Sequence, residues 1–289
     1  MRKPAEMVTS NPFAELSSFI PVAVMQGWVV LMVIFVIGGT VLDMIHKGSA
    51  KYFFENAKRA KKSAKRTVSG GEKVSMALQT LASEVLTSAE FAKPRRRISH
   101  LFTMYGFIIF VVTSVILIFS LPTSADQTPA LVPLLWHVGA FMLCFGGYWF
   151  WFFIRADVSA EGNPWYRLVR ADLFIVSLLA TATFGLIWSF VQSAGAGGLS
   201  KLFFALFAIA ATILFSTVLW SKFAHMFFKP AAAFQKRVIK ADESRENLPA
   251  EYDLTDPQVQ AKYTDIPEYM GKNPPNMGLG IKREAPHHR

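Results

Sequence analysis

Four histidines lie at or near the ends of long apolar blocks in this sequence: His46, His100, His137 and His225. Ionisable residues at membrane depth are costly and usually mark a functional site. Two neutral imidazoles at matching depth on facing helices are the ligand pair of a bis-histidine haem b. The spacing leaves an alternative open, in which terminal histidines are interfacial residues that hydrogen-bond to water or to lipid headgroups.

The apolar blocks indicate the helices that must position these histidines. Of the 289 residues, 52% are hydrophobic and 17% are charged, and the apolar ones are grouped rather than spread at amphipathic spacing. A helix needs about 20 consecutive apolar residues to cross the roughly 30 Å hydrocarbon core of a bilayer. The sequence therefore predicts an all-α, polytopic membrane protein with five transmembrane helices. The predicted spans are residues 22–45, 101–121, 131–154, 172–192 and 202–228.

The charges of the loops predict the orientation. The loop 47–97 contains 13 Lys and Arg against four Glu, and Arg residues also mark the loop 155–170. By contrast, the loop 122–130 has no Lys or Arg, and the loop 193–201 has one. Because basic loops stay in the cytoplasm, we expect the N-terminus outside and the C-terminus in the cytoplasm. Residues 1–228 then form the membrane domain. Residues 229–289 form a cytoplasmic tail, interpreted as an extended arm that becomes ordered on a soluble partner; the alternative is a disordered tail.

This topology places two of the histidines together. His100 begins the second span and His225 lies near the end of the fifth, so both are expected at the cytoplasmic boundary. A haem b held there would have its propionates near basic side chains. The candidates for that contact are Arg95, Arg96, Arg97 and Lys222. For the three arginines, anchoring of the topology is the alternative interpretation.

A quinone site needs an apolar slot and a group that exchanges protons. Candidates on the cytoplasmic side are Asp43, His46 and Asp172, and His137 is the candidate on the opposite side. Nothing in the sequence chooses among them.

Several kinds of chemistry find no support in the sequence. The single cysteine, Cys144, cannot form an internal disulfide or hold an iron–sulfur cluster, so any such cluster belongs to a partner. There is no P-loop, dinucleotide-binding fingerprint, HExxH motif or nucleophile elbow, and no catalytic residue is assigned. The net charge of +10 is interpreted as basic cytoplasmic loops rather than as a nucleic-acid-binding surface.

The long basic loop is predicted to contain two helices. Residues 52–65 form a basic helix suited to anionic headgroups, and Ser69-Gly70-Gly71 breaks it. Residues 74–91 follow with apolar side chains at helical spacing, namely positions 74, 77, 78, 81, 85 and 86. This second helix is expected to pack under the bundle or against a partner.

Two stretches carry a resemblance to a known family. They are His100-Leu-Phe-Thr-Met-Tyr-Gly-Phe107 and Trp220-Ser-Lys-Phe-Ala-His-Met-Phe-Phe-Lys-Pro230. Over about residues 20–235 the chain resembles the nitrate reductase gamma subunit family. The branch that it resembles most contains the C subunit of the quinone-interacting membrane oxidoreductase and the membrane subunits of heterodisulfide-reductase-like complexes. It is also similar to the membrane anchor paired with adenylylsulfate reductase in sulfur-oxidising bacteria.

The resemblance implies a multi-pass subunit of a bacterial cytoplasmic membrane. Such a subunit passes electrons between a cytoplasmic iron–sulfur and flavin enzyme, adenylylsulfate reductase or a heterodisulfide-reductase-like complex, and the quinone pool. Fuller family members bind two b haems through four histidines, whereas here the second and fifth spans offer only His100 and His225. One haem b, on the cytoplasmic side, is therefore implied. The alternative is a cofactor-free membrane anchor or scaffold for a soluble redox enzyme.

Overall fold

A computed structural model describes residues 4–89, 91, 93–156, 162–223, 225–246, 248, 252–253 and 256–262. Within these residues the regular structure is entirely helical, which confirms the prediction of an all-α chain. The helices are α1 (Pro4–Thr9), α2 (Pro12–Leu16), α3 (Val22–Lys47), α4 (Ser49–Ser63), α5 (Gly70–Thr80), α6 (Pro94–Phe119), α7 (Leu131–Trp149), α8 (Leu173–Ser193), α9 (Gly197–Ser216), α10 (His225–Ala241) and α11 (Pro257–Lys262). Two π-helical segments, Leu81–Leu86 and Phe150–Ile154, extend α5 and α7, and a 3-10 turn, Arg170–Asp172, precedes α8.

Five helical segments are long and apolar enough to cross a membrane, as the sequence predicted. They are Val22–His46, Pro94–Phe119, Leu131–Ile154, Arg170–Ser193 and Gly197–Ser216. The chain is thus a multi-pass membrane protein in its architecture. The orientation of its termini relative to the membrane stays a prediction.

Side-chain hydrogen bonds define the two ends of the bundle. Asn11 Nδ2 donates to the carbonyl of Leu121, and Gln192 Nε2 donates to the carbonyl of Pro12. The N-terminal segment therefore shares one end, here the N-terminal end, with the weakly charged loops that follow α6 and α8. The opposite end, here the basic end, carries the described residues within 48–93, 155–170 and 217–241.

Residues 4–20 form a packed cap on the N-terminal end of the bundle. Asn11 Oδ1 accepts hydrogen bonds from the N–H groups of Phe13 and Ala14 and so begins α2. The Phe13 ring is buried and packs edge-on against Trp136, at 5.8 Å between ring centroids, and against Trp188, at 5.1 Å. Aromatic edge-to-face packing of this kind closes the interior of the bundle at this end.

Glycines let α6 and α7 approach closely. A Cβ on Gly106 would lie 2.7 Å from the backbone nitrogen of Leu143, and one on Gly139 would lie 2.7 Å from that of Phe110. Small residues at such crossings are typical of helices packed in membranes. This contact fixes α6, and with it His100, against the rest of the bundle.

The last span ends earlier than the sequence predicted. The predicted span 202–228 is divided into α9, which ends at Ser216, and α10, which begins at His225. Between them the chain turns, and the carbonyl of Thr217 accepts from the N–H groups of Trp220 and Ser221. The turn buries Val218 completely and Phe223 almost completely, so core packing stabilises a break that no glycine or proline marks. His225 therefore begins a separate helix instead of lying inside a span.

Helices α4, α5 and α10 form a group at the basic end. The two helices predicted in the basic loop are confirmed as α4 and as α5 with its π-helical extension. Gln235 Nε2 donates to the carbonyl of Phe53, and the N–H groups of Lys65 and Arg66 donate to the carbonyl of Asp242. Residues 225–241 of the chain therefore form a packed helix, which differs from the extended arm expected for residues 229–289. The part of that arm from residue 263 onward lies outside the described residues.

Candidate functional site

His100 lies in the second turn of α6 at the basic end and is partly exposed. Its Nδ1 lies 3.0 Å from Oγ of Ser88, and the Phe91 ring packs against the imidazole at 4.8 Å between centroids. Histidines that bind metals usually have their second ring nitrogen held by a hydrogen bond of this kind. The orientation of His100 is thus controlled by the segment that precedes α6.

That segment is bound to α6 at successive residues. The carbonyl of Leu86 accepts from the Tyr105 hydroxyl at 2.6 Å, and the carbonyl of Thr87 accepts from Arg97 Nε at 2.6 Å. Ser88 is completely buried and has a φ of 47°, in the left-handed region that residues other than glycine rarely adopt. Strained backbone of this kind concentrates at functional sites. Nothing in the sequence marked Ser88 as a partner of His100.

Phe91 joins the start of α6 to α10. Its ring contacts the His100 imidazole, the Arg96 guanidinium at 5.3 Å and the Lys229 ammonium at 5.4 Å. Lys229 lies one turn after His225, the first residue of α10. The segments that carry the two predicted haem ligands are therefore neighbours at the basic end, although the side chain of His225 lies outside the described part of the chain.

The predicted propionate contacts differ in their surroundings. Arg95 and Lys222 are exposed. By contrast, Arg96 lies over the Phe91 ring, and Arg97 donates a hydrogen bond to the carbonyl of Thr87. A pocket of about 340 Å³ lies beside Arg97. It is lined by Phe91, Pro94, Arg97, Ile98 and Leu101.

The interior beneath His100 is filled by phenylalanines. Phe223, from the turn after α9, contacts Phe174 at 5.5 Å, Phe215 at 5.9 Å and Phe107 at 6.4 Å between ring centroids. These rings occupy the space between α6, α8 and α9. In residue type and in position at one end of the bundle, the His100 segment and the α10 segment fit a haem b. Any group held between these two segments would lie beside these rings and not among them.

Two of the quinone candidates lie at the end of α3. Asp43 is buried, with 2% of its surface exposed, and His46 is exposed near Leu42 and Ile45, which are also exposed. The hydroxyl of Thr40, one turn before Asp43, is buried and has no hydrogen-bond partner among the described residues. At this end of α3, buried polar groups on the inner side of the helix thus lie next to apolar side chains exposed on its outer side.

His137, the candidate on the opposite side, is buried in the N-terminal end. Its Nδ1 lies 2.8 Å from the carbonyl of Pro133, and its Nε2 lies 2.9 Å from Oγ of Ser189. Because a carbonyl only accepts, Nδ1 carries a proton and donates to it. Both ring nitrogens are therefore engaged: Nδ1 bonds within α7, and Nε2 joins α7 to α8.

Asp172 is held in a buried ion pair. The guanidinium of Arg155, which is completely buried, donates from Nε to Oδ1 of Asp172 at 3.1 Å and from Nη2 to Oδ2 at 2.5 Å. The same guanidinium donates to the carbonyls of Asn163, Pro164 and Arg167 and stacks on Trp151. This pair fixes the described residues that precede α8, from Asn163 to Asp172, a structural role that the sequence did not reveal.

Comparisons with known proteins add no relative: no protein-family model, curated protein or solved structure matches this chain.

Proposed function

We propose that this chain is the membrane subunit of a redox complex in a bacterial cytoplasmic membrane. In this proposal it passes electrons between a soluble iron–sulfur and flavin enzyme at the basic end and the quinone pool, through one haem b. The observation that carries the proposal is the contact of Phe91 with both His100 and Lys229, which brings the start of α6 to the start of α10. The resemblance to the nitrate reductase gamma subunit family supports adenylylsulfate reductase or a heterodisulfide-reductase-like complex as the partner.

The positive charge of the basic end supports the proposal that the partner binds at that end. The loop 47–97 alone has a net charge of +9. A docking surface with charge of one sign associates faster with a partner surface of opposite charge, and it disfavours partners of like charge. We therefore expect the soluble enzyme to present an acidic surface. The iron–sulfur clusters belong to that enzyme, because this chain has a single cysteine.

The proposed haem would be held by His100 and His225 and would supply a one-electron relay between the enzyme and quinone. The Ser88 hydroxyl holds Nδ1 of His100 and so sets the plane of its ring. Arg96 and Lys229 place positive charge beside Phe91, where propionates would find charge-assisted hydrogen bonds. Quinone is proposed to react at the end of α3, where Asp43 and His46 adjoin apolar side chains exposed on the outside of the bundle.

A reduced-minus-oxidised absorption spectrum of the purified protein tests this proposal. We expect a b-type signal in the wild type, its loss in His100→Ala and in His225→Ala, and its retention in the matched variant His46→Ala. Ser88→Ala should keep the haem but shift its reduction potential, because the hydrogen bond to the ligand is removed. A b-type signal that survives both His100→Ala and His225→Ala would contradict the ligand assignment.

A second candidate function is a cofactor-free anchor for the same soluble enzyme. The phenylalanine packing of Phe107, Phe174, Phe215 and Phe223 favours it, because these side chains fill the interior next to His100. This function predicts a colourless, folded protein that still co-purifies with its partner. Electrons would then pass directly from the partner to quinone, or not through this chain at all.

A further inference from the structure

Helix α5 and its π-helical extension, residues 70–86, have their apolar side chains on the outside. Val74, Leu78 and Leu81 are 60%, 62% and 50% exposed, and they follow one another at helical spacing along one face. A helix that covers a protein core shows the opposite pattern, with its apolar face inward. We call these three residues the apolar stripe.

The inner face of the same helix is polar. Arg237 of α10 donates from Nη2 to Oγ of Ser83 at 2.7 Å and to Oε1 of Glu84 at 3.2 Å. Thr80, on the same face, is 3% exposed. At the other end of the helix, Arg66 Nη1 lies 2.7 Å from Oε1 of Glu72. The helix is thus held to its neighbours by polar contacts, and these fix the stripe on the outer side.

The end of the helix reaches the apolar surface of a membrane-spanning segment. The carbonyl of Leu86 accepts from the hydroxyl of Tyr105, which lies about 16 Å along α6 from its first residue at a rise of 1.5 Å per residue. That point is within the apolar part of α6, which begins at Leu101. Leu86 itself is 49% exposed, and Ile98 and Phe102 of α6 are 43% and 36% exposed. The outer surface of the helix therefore continues the surface that α6 presents to lipid.

We infer that residues 70–86 form an interfacial helix whose apolar stripe enters the lipid of the leaflet at the basic end. Helices of this kind bury one apolar face at the boundary of headgroups and acyl chains and keep their polar face away from it. The neighbouring α4 supplies cations that attract anionic headgroups, among them Lys58, Arg59, Lys61 and Lys62. Membrane contact would fix the segment that holds His100, although the inference does not depend on the redox function or on haem.

Site-directed fluorescence of the full chain in vesicles tests this inference. Cys144→Ser removes the native thiol, and Leu78→Cys or Leu81→Cys then places an environment-sensitive dye on the stripe. Gln79→Cys is the matched control, because Gln79 is exposed on the same helix but off the stripe. The vesicles contain phosphatidylethanolamine and phosphatidylglycerol, with or without nitroxide-labelled acyl chains, and iodide serves as the aqueous quencher.

We expect the nitroxide lipid to remove most of the emission at positions 78 and 81 and little of it at position 79. Iodide should show the reverse order. The inference would be overturned if iodide quenched positions 78 and 81 as strongly as position 79 and the nitroxide lipid did not quench them. The apolar stripe would then face water and be available to a soluble partner. Since both substituted leucines are exposed, a folding defect in one variant would leave the other as an independent test.

Discussion

The two ends of this bundle are closed by different chemistry. At the N-terminal end the buried contacts are between neutral groups: Phe13 packs between two tryptophans, Gln192 donates to the carbonyl of Pro12, and His137 has both ring nitrogens occupied. A cation at this end, Lys201, lies over the ring of Phe19, which is exposed. At the basic end, charged pairs and cations over aromatic rings replace the neutral contacts. His137 at the first end is buried, whereas His100 at the second is partly exposed, with its Nδ1 3.0 Å from the Ser88 hydroxyl.

This difference affects how each end should respond to change. Neutral aromatic packing depends on shape and is insensitive to salt and pH. Ion pairs depend on charge. Removing one partner of a buried pair leaves an unpaired buried charge, which destabilises the fold. The same residue type therefore has different surroundings at the two ends of the bundle.

Arg155→Met should have the largest effect on stability and would break the charged end. The substitution leaves the buried Asp172 without its guanidinium, and loss of one partner of a buried pair costs about 3–5 kcal/mol. Thermal unfolding in detergent should show a large fall in the midpoint. Arg167→Met, at an exposed position, is the control and should unfold close to the wild type. An equal fall in the unfolding midpoint of the two variants would show that the Arg155–Asp172 pair does not stabilise the fold.

Phe13→Ala should have the next largest effect and tests the neutral end. Removing a buried phenylalanine ring costs about 3 kcal/mol, here at the contact with Trp136 and Trp188. Because residues 4–20 precede the first span, we expect the cap to detach before the bundle unfolds. Limited proteolysis should cut this segment in the variant and leave the five spans intact. Phe19→Ala, at a position with 46% exposure, should resist the protease as the wild type does.

The smallest effect is expected from pH at Glu72. A hydrogen bond from Arg66 and the charge of that guanidinium hold the pKa of the Glu72 carboxyl below its ordinary value. A carboxyl with a lowered pKa in the folded state stabilises the fold above its unfolded pKa, and this contribution is lost as pH falls through the folded pKa. Hydrogen exchange at residues 65–72, corrected for intrinsic rates, should therefore quicken at acid pH. In Glu72→Gln this acid-dependent increase in exchange should be absent. If the variant had the same pH profile as the wild type, the increase would not come from Glu72.

The sequence predicted the spans and the helices of the basic loop well, because both depend on local composition. The four spans that begin at residues 22, 101, 131 and 172 correspond to helices in the structure, and the second helix starts earlier because Pro94 is favourable in a first turn. The break after Ser216 was missed. It depends on burial of Val218 and Phe223 by distant residues, and the local sequence gives no sign of it.

The candidate site was predicted only in part. The sequence indicated His100, and loop charge placed it with His225 at one end, but the distance between the two imidazoles is outside the described residues. Ser88 and Phe91 were missed, because their contacts with His100 arise when a loop folds back on α6. Asp172 and His137 were quinone candidates from residue type alone, and tertiary contacts give each of them a structural role.

The sequence by itself determined the number of membrane-spanning helices, because a bilayer requires about 20 apolar residues for each crossing wherever the helix packs. It also determined the uneven charge of the loops. Only the tertiary structure decided where the last span ends, which histidine is enclosed and which face of residues 70–86 is outward. Those features depend on side chains far apart in the sequence, such as Gly39 against Val218 and Arg237 against Glu84. No local pattern records such contacts.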